Sequence, residues 1–195
     1  MSASLKLPAA MTVPEFLDWC PEDGQRWELV DGAPRAMAPA KLGHGAIQSE
    51  IAALLRNHLL DRGQACTVVT APGVIPRVRA ATNLRVPDLA VTCAPVSPTD
   101  ATMAEPVLIV EILSPSNGAE TWANVWTYTT IPSVREILVV HQVAQRAELL
   151  RRDPRGDWPP EPLTLTEGEL ALDSIGFRVS LAALYRTAPP LRLPG

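Results

Sequence analysis

Arg85-Val-Pro-Asp-Leu-Ala-Val91 and Val107-Leu-Ile-Val-Glu-Ile-Leu113 are two apolar runs of strand length, each interrupted by a single carboxylate, Asp88 in the first and Glu111 in the second. Residues 88–93 and 107–113 read as strands. Paired antiparallel across the 94–106 loop, they bring the start of the first beside the end of the second. A symmetric register sets Asp88 opposite Glu111, and alternation places both side chains on one face. Like charges in that position destabilise a strand pair. A divalent cation relieves them, because it takes oxygen from one or two carboxylates, a backbone carbonyl and waters. The Ile112 carbonyl, next along the strand, is the natural third ligand. The plainer alternative is an exposed edge or ion-paired position for each acid, with Pro87-Asp88 merely starting a strand.

Outward from this pair, local signals place the other elements. Thr12-Val13-Pro14-Glu15 is a capping box that opens a helix through Trp19. Asp31-Gly32, between Trp27–Val30 and Ala33–Met37, marks a tight hairpin. From His44 to Arg62, Ile47, Ile51, Leu54, Leu55 and Leu59 recur at helical spacing, with Gly63 as a stop. Cys66–Thr70 and Glu136–His141 read as strands, and Ala147–Leu150 pairs with the latter. Ser114-Pro-Ser-Asn117 introduces a helix over about Gly118–Thr130, with Ser116 or Asn117 as N-cap. Asp153–Pro162 reads as a loop, followed by a weak strand near Leu163–Thr166 and a short helix near Leu181–Tyr185. This order predicts one α/β (α+β) domain spanning 1–195, with its core over about 12–150 and a loop-rich extension over 151–195.

Composition bounds the function. The 195 residues, 47% of them hydrophobic, suffice for a real core. A net charge of −4, with lysine only at Lys6 and Lys41, excludes a protein that coats nucleic acid. It leaves room for an enzyme gripping a short stretch of backbone through arginines. Arg77, Arg79 and Arg85, just before Asp88, are candidate phosphate contacts; Arg151, Arg152 and Arg155 form a second group. Ordinary solvated charge is the competing reading for both. No apolar run approaches the roughly 20 residues of a membrane helix, and the first residues lack the pattern of a signal peptide. Cys20, Cys66 and Cys93 have no CxxC spacing and read as free thiols in a reducing cytoplasm. Trp122 and Trp126 read as a core or dimer contact rather than a base-stacking pair, and His58 and His141 as structural. Ser114 and Ser116 lack the G-x-S-x-G context of a nucleophile.

Four segments carry a resemblance: RWELVDG (26–32), RVPDLAV (85–91), VEILSPSN (110–117) and, after a helix, IPSVREILVV (131–140). In this order, over about residues 12–145, the chain resembles the Uma family of proposed endonucleases, within the PD-(D/E)xK nuclease superfamily. The resemblance implies a restriction-endonuclease-like fold, a central mixed sheet flanked by helices. It implies Mg²⁺ or Mn²⁺ held by Asp88, Glu111, the Ile112 carbonyl and Glu28, and DNA as partner. A homodimer with two-fold related sites would cut both strands, and dimers are the commonest oligomers. His44 matches a position where the family often carries histidine. The superfamily lysine belongs two residues after the second acid, where this chain has Leu113. The family moves it to the following helix, where Glu120, Asn124 and Tyr128 share one face at i, i+4, i+8. The lysine position is therefore Asn124, which orients a water but carries no charge. Lys41 or Arg135 are the conceivable substitutes. A nuclease slowed by this loss is the first reading. A catalytically degenerate DNA-binding or interaction protein is the second, and a structural oligomer whose acids bind no metal is the third.

Overall fold

The computed structural model describes residues 10–19, 21 and 24–188. In chain order the elements are α1 (Val13–Trp19), β1 (Trp27–Val30), β2 (Ala33–Ala36), α2 (Leu42–Asp61), β3 (Thr67–Thr70), β4 (Leu89–Thr92), β5 (Pro106–Leu113), α3 (Gly118–Tyr128), β6 (Glu136–His141), β7 (Ala147–Arg151), β8 (Leu163–Leu165), β9 (Glu169–Leu172), β10 (Phe177–Ser180) and a 3-10 turn, Leu181–Tyr185.

The local signals act where expected. Thr12 donates its N–H and hydroxyl to Glu15 Oε2, both at 2.7 Å, closing the capping box of α1. Asp31 and Gly32 adopt φ of 51° and 84°, the left-handed pair that a two-residue hairpin with the twist of its strands requires.

Strands β3 to β8 form one sheet in sequence order, with β5 and β6 parallel and every other pair antiparallel. The parallel pair needs a crossover, and α3 provides it. Alternation along the strands separates two cores. Leu89, Val91, Leu108, Val110, Ile112, Leu138 and Val140 face α2, which contributes Ile47, Ile51, Leu55 and Leu59. Ala90, Ile109, Ile137, Val139 and Leu150 face α3, which contributes Val125 and Tyr128. A smaller cluster of Met11, Val13, Phe16, Leu29 and Leu84 seats α1 and the β1–β2 hairpin. The hairpin is pinned by reciprocal backbone bonds between Leu29 and Leu84, at 2.8 and 3.0 Å.

Two expectations are corrected. After residue 151 the loop over 153–162, the strand at Leu163–Leu165 and the short helix at Leu181–Tyr185 fall where expected, but the rest of the segment is not a loop-rich extension. β9 and β10 pair as a hairpin, and Leu170, Leu172, Ile175, Phe177, Leu181 and Leu184 complete the core beneath α2. Buried Glu50 of α2 holds the end of this segment, accepting from Arg186 at 2.5 Å and from Thr187 at 2.9 Å. Strands of four residues spaced by turns carry too little periodicity to stand out in sequence, and only the bare inner face of α2 gives them a partner. Second, Cys66 and Cys93 are disulfide-bonded. The register that pairs Thr67 with Thr92 sets them opposite each other one residue further on. The expectation of free thiols fails for this pair, and with it the thiol argument for a reducing compartment; Cys20 lies outside the described residues. Asn117 occupies the N-cap of α3 as expected, with its side chain turned back, accepting from Ser114 N–H at 3.0 Å and Ser114 Oγ at 2.6 Å. Among the described residues no helix is long and apolar enough to cross a membrane.

Candidate active site

β4 begins at Leu89, paired with Val110, so the register carries Asp88 opposite Glu111 at the point where the β4–β5 ladder ends. Asp88 alternates with Ala90 and Glu111 with Ile109, so both carboxylates face α3. Leaving the ladder frees the backbone of Ile112 on the β4 side, and its N–H donates to Asp88 Oδ2 at 2.6 Å. Val107 and Leu113 offer their carbonyls towards β6, to Arg135 N–H and Gln142 N–H at 2.9 and 3.0 Å. Strand alternation therefore turns the Ile112 carbonyl the other way, to the Asp88 side.

The second Asp88 oxygen, Oδ1, lies 2.8 Å from His44 Nε2, on the first turn of α2. One turn later Gln48 donates Nε2–H to the Asp88 carbonyl at 2.7 Å, and Ala71 N–H reaches the same oxygen at 3.0 Å. Gln48 was not singled out in sequence, although its i+4 spacing from His44 was the available signal. From the other side of the sheet, Tyr128 donates its hydroxyl to Glu111 Oε1 at 2.8 Å, both groups buried. The Glu111 carboxyl is pushed well above the ordinary carboxylate range, first by burial and then by the charge of Asp88. The Tyr128 phenol is pushed up by its own burial and by Glu111. At a cross-strand separation of about 5 Å and an effective dielectric near 20, repulsion between the two carboxylates is on the order of 3 kcal/mol. The hydrogen bonds to each are of similar size, roughly 1.5–3 kcal/mol apiece. They balance the repulsion but not the desolvation of Glu111, which is why burial leads its shift.

Glu28 projects from β1 and is buried beside Arg85, with Oε1 4.0 Å from Nη1 and Oε2 without a hydrogen-bond partner. Its carboxyl is pushed up by burial, opposed by Arg85 and reinforced by the charge of Glu120. The face expected on α3 is thus oriented towards the acids. Tyr128 touches Glu111, Glu120 acts electrostatically on Glu28, and Asn124, half-buried, lies one turn from each. Among the described residues, however, no three His, Cys, Asp or Glu side chains are gathered as a ready cage for an ion. The direct contacts run His44–Asp88 and Tyr128–Glu111, with Glu28 standing off beside Arg85.

The arginines named in the sequence take different places in the structure. Arg85 is buried rather than offered to solvent. Arg79 is ion-paired to Asp31 at 2.7 Å, at the tip of the hairpin. Arg77 keeps an exposed side chain, its backbone N–H bonded to Thr130 Oγ1 at 3.0 Å. Arg152 is spent on the carbonyls of Thr129 and Ile131 and on the ring of Trp158. Arg151 pairs with Glu136 and Asp173. Arg135 stands beside Val107 at the far end of β5, lining a depression of about 450 Å³ with Cys93, Glu105 and Ser133, so it does not take the lysine's place. Lys41 precedes the first turn of α2, three residues before His44, with an exposed side chain. His58 is structural, bonded to the Ile175 carbonyl at 3.0 Å and edge-on to Phe177. His141 lies 3.4 Å from Glu148. Trp122 packs against the α3 core, whereas Trp126 is 43% exposed.

Comparison with known proteins agrees with this architecture. A crystal structure described as a putative nuclease belonging to DUF820 from Anabaena variabilis superposes with a TM-score of 0.73, covering 90% of this chain and 97% of that one at 18% identity. At that identity the likeness shows a shared fold. An uncharacterized protein of Synechocystis sp., slr1290, is 29% identical over 174 residues, 88% of this chain and 90% of its own length. Residues 13–183 match the family described as "Uma2: Putative restriction endonuclease", a span that takes in every strand and helix of the sheet, the acidic pair and α3, and the chain belongs to that family.

Proposed function

We propose that this protein is a nuclease that hydrolyses DNA phosphodiester bonds with Mg²⁺ or Mn²⁺ held between Asp88 and Glu111. The observation that carries the reading is the placement of those two carboxylates opposite each other at the end of the β4–β5 ladder, one of them deeply buried. The donor set is all oxygen, as hard divalent cations prefer. Mg²⁺ commonly takes one or two carboxylates and retains waters, so a pair of acids with the Ile112 carbonyl suits it without a closed cage. The unpartnered Oε2 of Glu28 is a further acceptor, reached directly or through water. A divalent cation bound there supplies Lewis-acid stabilisation of a phosphate's developing charge and a more acidic water.

The chain's own residues do the rest. Ile112 N–H and His44 fix the Asp88 carboxylate, and Tyr128 fixes that of Glu111. Asn124 orients the attacking water by hydrogen bonding and contributes no charge. Loss of one such electrostatic contact costs on the order of 10²–10³ in rate, so the enzyme is slow. A homodimer with two-fold related sites would cut both strands, two-fold dimers being the commonest oligomers. The amide at position 124 also favours a second reading, a member of the family that binds DNA without cutting it.

Plasmid nicking in Mg²⁺ or Mn²⁺ by wild type, Asp88→Ala and Asn124→Lys separates the two. Cleavage by wild type that is lost in Asp88→Ala supports the nuclease. An inert wild type with a cutting Asn124→Lys supports a scaffold that lost only its lysine. If Asn124→Lys is inert as well, the nuclease reading falls.

A further inference from the structure

Cys93 follows the last residue of β4 and Cys66 precedes the first of β3, and the bridge between them is unevenly covered. Cys93 is exposed, whereas Cys66 is half-buried against the core beneath α2. The β4–β5 ladder shifts register between Val91 and Thr92, and the chain leaves the sheet just beyond. The buried Thr92 hydroxyl holds both sides of the gap that opens there. It donates to the Ala104 carbonyl at 2.8 Å and accepts from Ala94 N–H at 3.1 Å. Arg135, bonded through its N–H to the Val107 carbonyl, closes the far side. The result is the depression of about 450 Å³ lined by Cys93, Glu105, Ser133 and Arg135, a volume within the range of small-molecule sites. Its walls offer an exposed cation, Arg135, an exposed carboxylate, Glu105, and the Ser133 hydroxyl. The Ser133 oxygen is buried and has no hydrogen-bond partner among the described residues, which is uncommon for such a group. Arg79, Arg151 and Arg152 are occupied within the fold. The Arg135 guanidinium has no ion pair among the described residues.

We infer that Cys93 is a thiol–disulfide exchange site, and that the depression beside it takes a small thiol bearing carboxylate and ammonium groups. Arg135 and the Ser133 hydroxyl meet the carboxylate, and Glu105 meets the ammonium. The thiolate of the incoming molecule forms a bond to Cys93 Sγ. The Cys66–Cys93 bond breaks, and its electron pair leaves on Cys66 Sγ as a thiolate. A second thiolate then attacks the incoming molecule's sulfur in the mixed disulfide and releases Cys93 as a thiolate. Two thiols are thereby oxidised to one external disulfide, and the bridge is reduced by two electrons. Access selects the sulfur, since Cys93 lines the depression and Cys66 packs against the core. Opening the bridge releases the start of β3. The chain just beyond the other end of that strand supplies Ala71 N–H to the Asp88 carbonyl at 3.0 Å, so the exchange site and the acidic pair share one edge strand.

The test follows the sulfur chemistry of the full chain, in a Cys20→Ser background so that only these two sulfurs react. Cys66→Ser and Cys93→Ser each leave one thiol. Each variant is treated with glutathione disulfide, which carries the required groups, and mass spectrometry times the mixed disulfide. Thermal melts confirm that each is folded. Cys66→Ser is expected to form the adduct about 10-fold faster or more, because its remaining thiol is the accessible one. Adding Arg135→Gln to Cys66→Ser should slow glutathione disulfide and dithiodipropionate about 3-fold at low salt, and uncharged hydroxyethyl disulfide less. Salt at about 0.5 M should erase that difference. Adding Glu105→Gln should slow glutathione disulfide but not dithiodipropionate, which has no ammonium. Equal rates in the two single-thiol variants, or a faster Cys93→Ser, overturn the assignment of Cys93. Equal effects of Arg135→Gln on all three reagents, or no slowing by Glu105→Gln, overturn the class of thiol. If the single-thiol variants do not fold, the bridged protein is treated with glutathione, alkylated and mapped by peptide. Glutathione on Cys93 with the alkyl group on Cys66 is the expected pattern, and the reverse pattern overturns the site.

Discussion

Tyr128 of α3 donates to Glu111 Oε1 of β5 at 2.8 Å, a buried phenol against a buried carboxylate that ties the crossover helix to the strand carrying the acid. This contact fixes the rotation of α3 and so the direction in which Asn124 and Glu120 project. Replacing Tyr128 with Phe keeps the ring among Val125, Ile131 and Val134 and removes only the donor. We expect a loss of about 1–3 kcal/mol, the cost of leaving a buried acceptor unmet, read as a lower urea midpoint with an unchanged slope. An unchanged midpoint would mean that the contact contributes nothing to the fold.

Glu111 gives the metal-free protein a stability that depends on pH. Its folded-state pKa lies above its unfolded value, so the native state binds the extra proton between the two. Stability from this group is fully present below the unfolded value, about 4.3, and is lost as pH rises through the folded one. The metal-free melting temperature should therefore fall from pH 5 to pH 8, by about 2 °C or more. Glu111→Gln, which retains an acceptor for Tyr128, should flatten this slope and raise the value at pH 8. A slope equally steep in Glu111→Gln would place its origin elsewhere.

The Cys66–Cys93 bond closes a sequence separation of 27 residues that includes all of β3 and β4. Constraining such a loop in the unfolded chain is worth about 3.5 kcal/mol. Dithiothreitol, or Cys93→Ser, should lower the denaturation midpoint correspondingly, with mass spectrometry of alkylated protein counting the thiols released. If the oxidised protein already alkylates at both positions, the bridge is not formed in solution.

The C-terminal hairpin and turn are core, not appendage. Leu181→Ala removes a side chain with no solvent exposure, packed with the α2 and sheet residues, and should cost about 2–5 kcal/mol. Glu50→Ala, which releases Arg186 and Thr187, should make the chain after residue 180 accessible to limited proteolysis. A Leu181→Ala midpoint within 0.5 kcal/mol of wild type, taken as about the noise of a surface substitution, would show that the segment is dispensable.

Much of the sheet and the acidic pair was legible in sequence because the deciding signals are short-range or periodic. Strand alternation and a symmetric loop set Asp88 against Glu111. Asp31-Gly32 specified its hairpin through backbone conformation alone, whereas Glu120, Asn124 and Tyr128 were singled out by the family resemblance, helical geometry adding only that they share one face. Tertiary structure decided what depends on which surfaces meet. Arg85 reads as a solvated charge until Val74 and Leu29 enclose it. Cys66 and Cys93 read as thiols until β3 pairs with β4 in the register that opposes them. The four-residue strands β9 and β10 have no signal of their own strength, and they exist because their apolar faces cover the underside of α2. Local conformation is written in neighbouring residues; burial, pairing across the sheet and the company a charge keeps are settled only when distant segments pack.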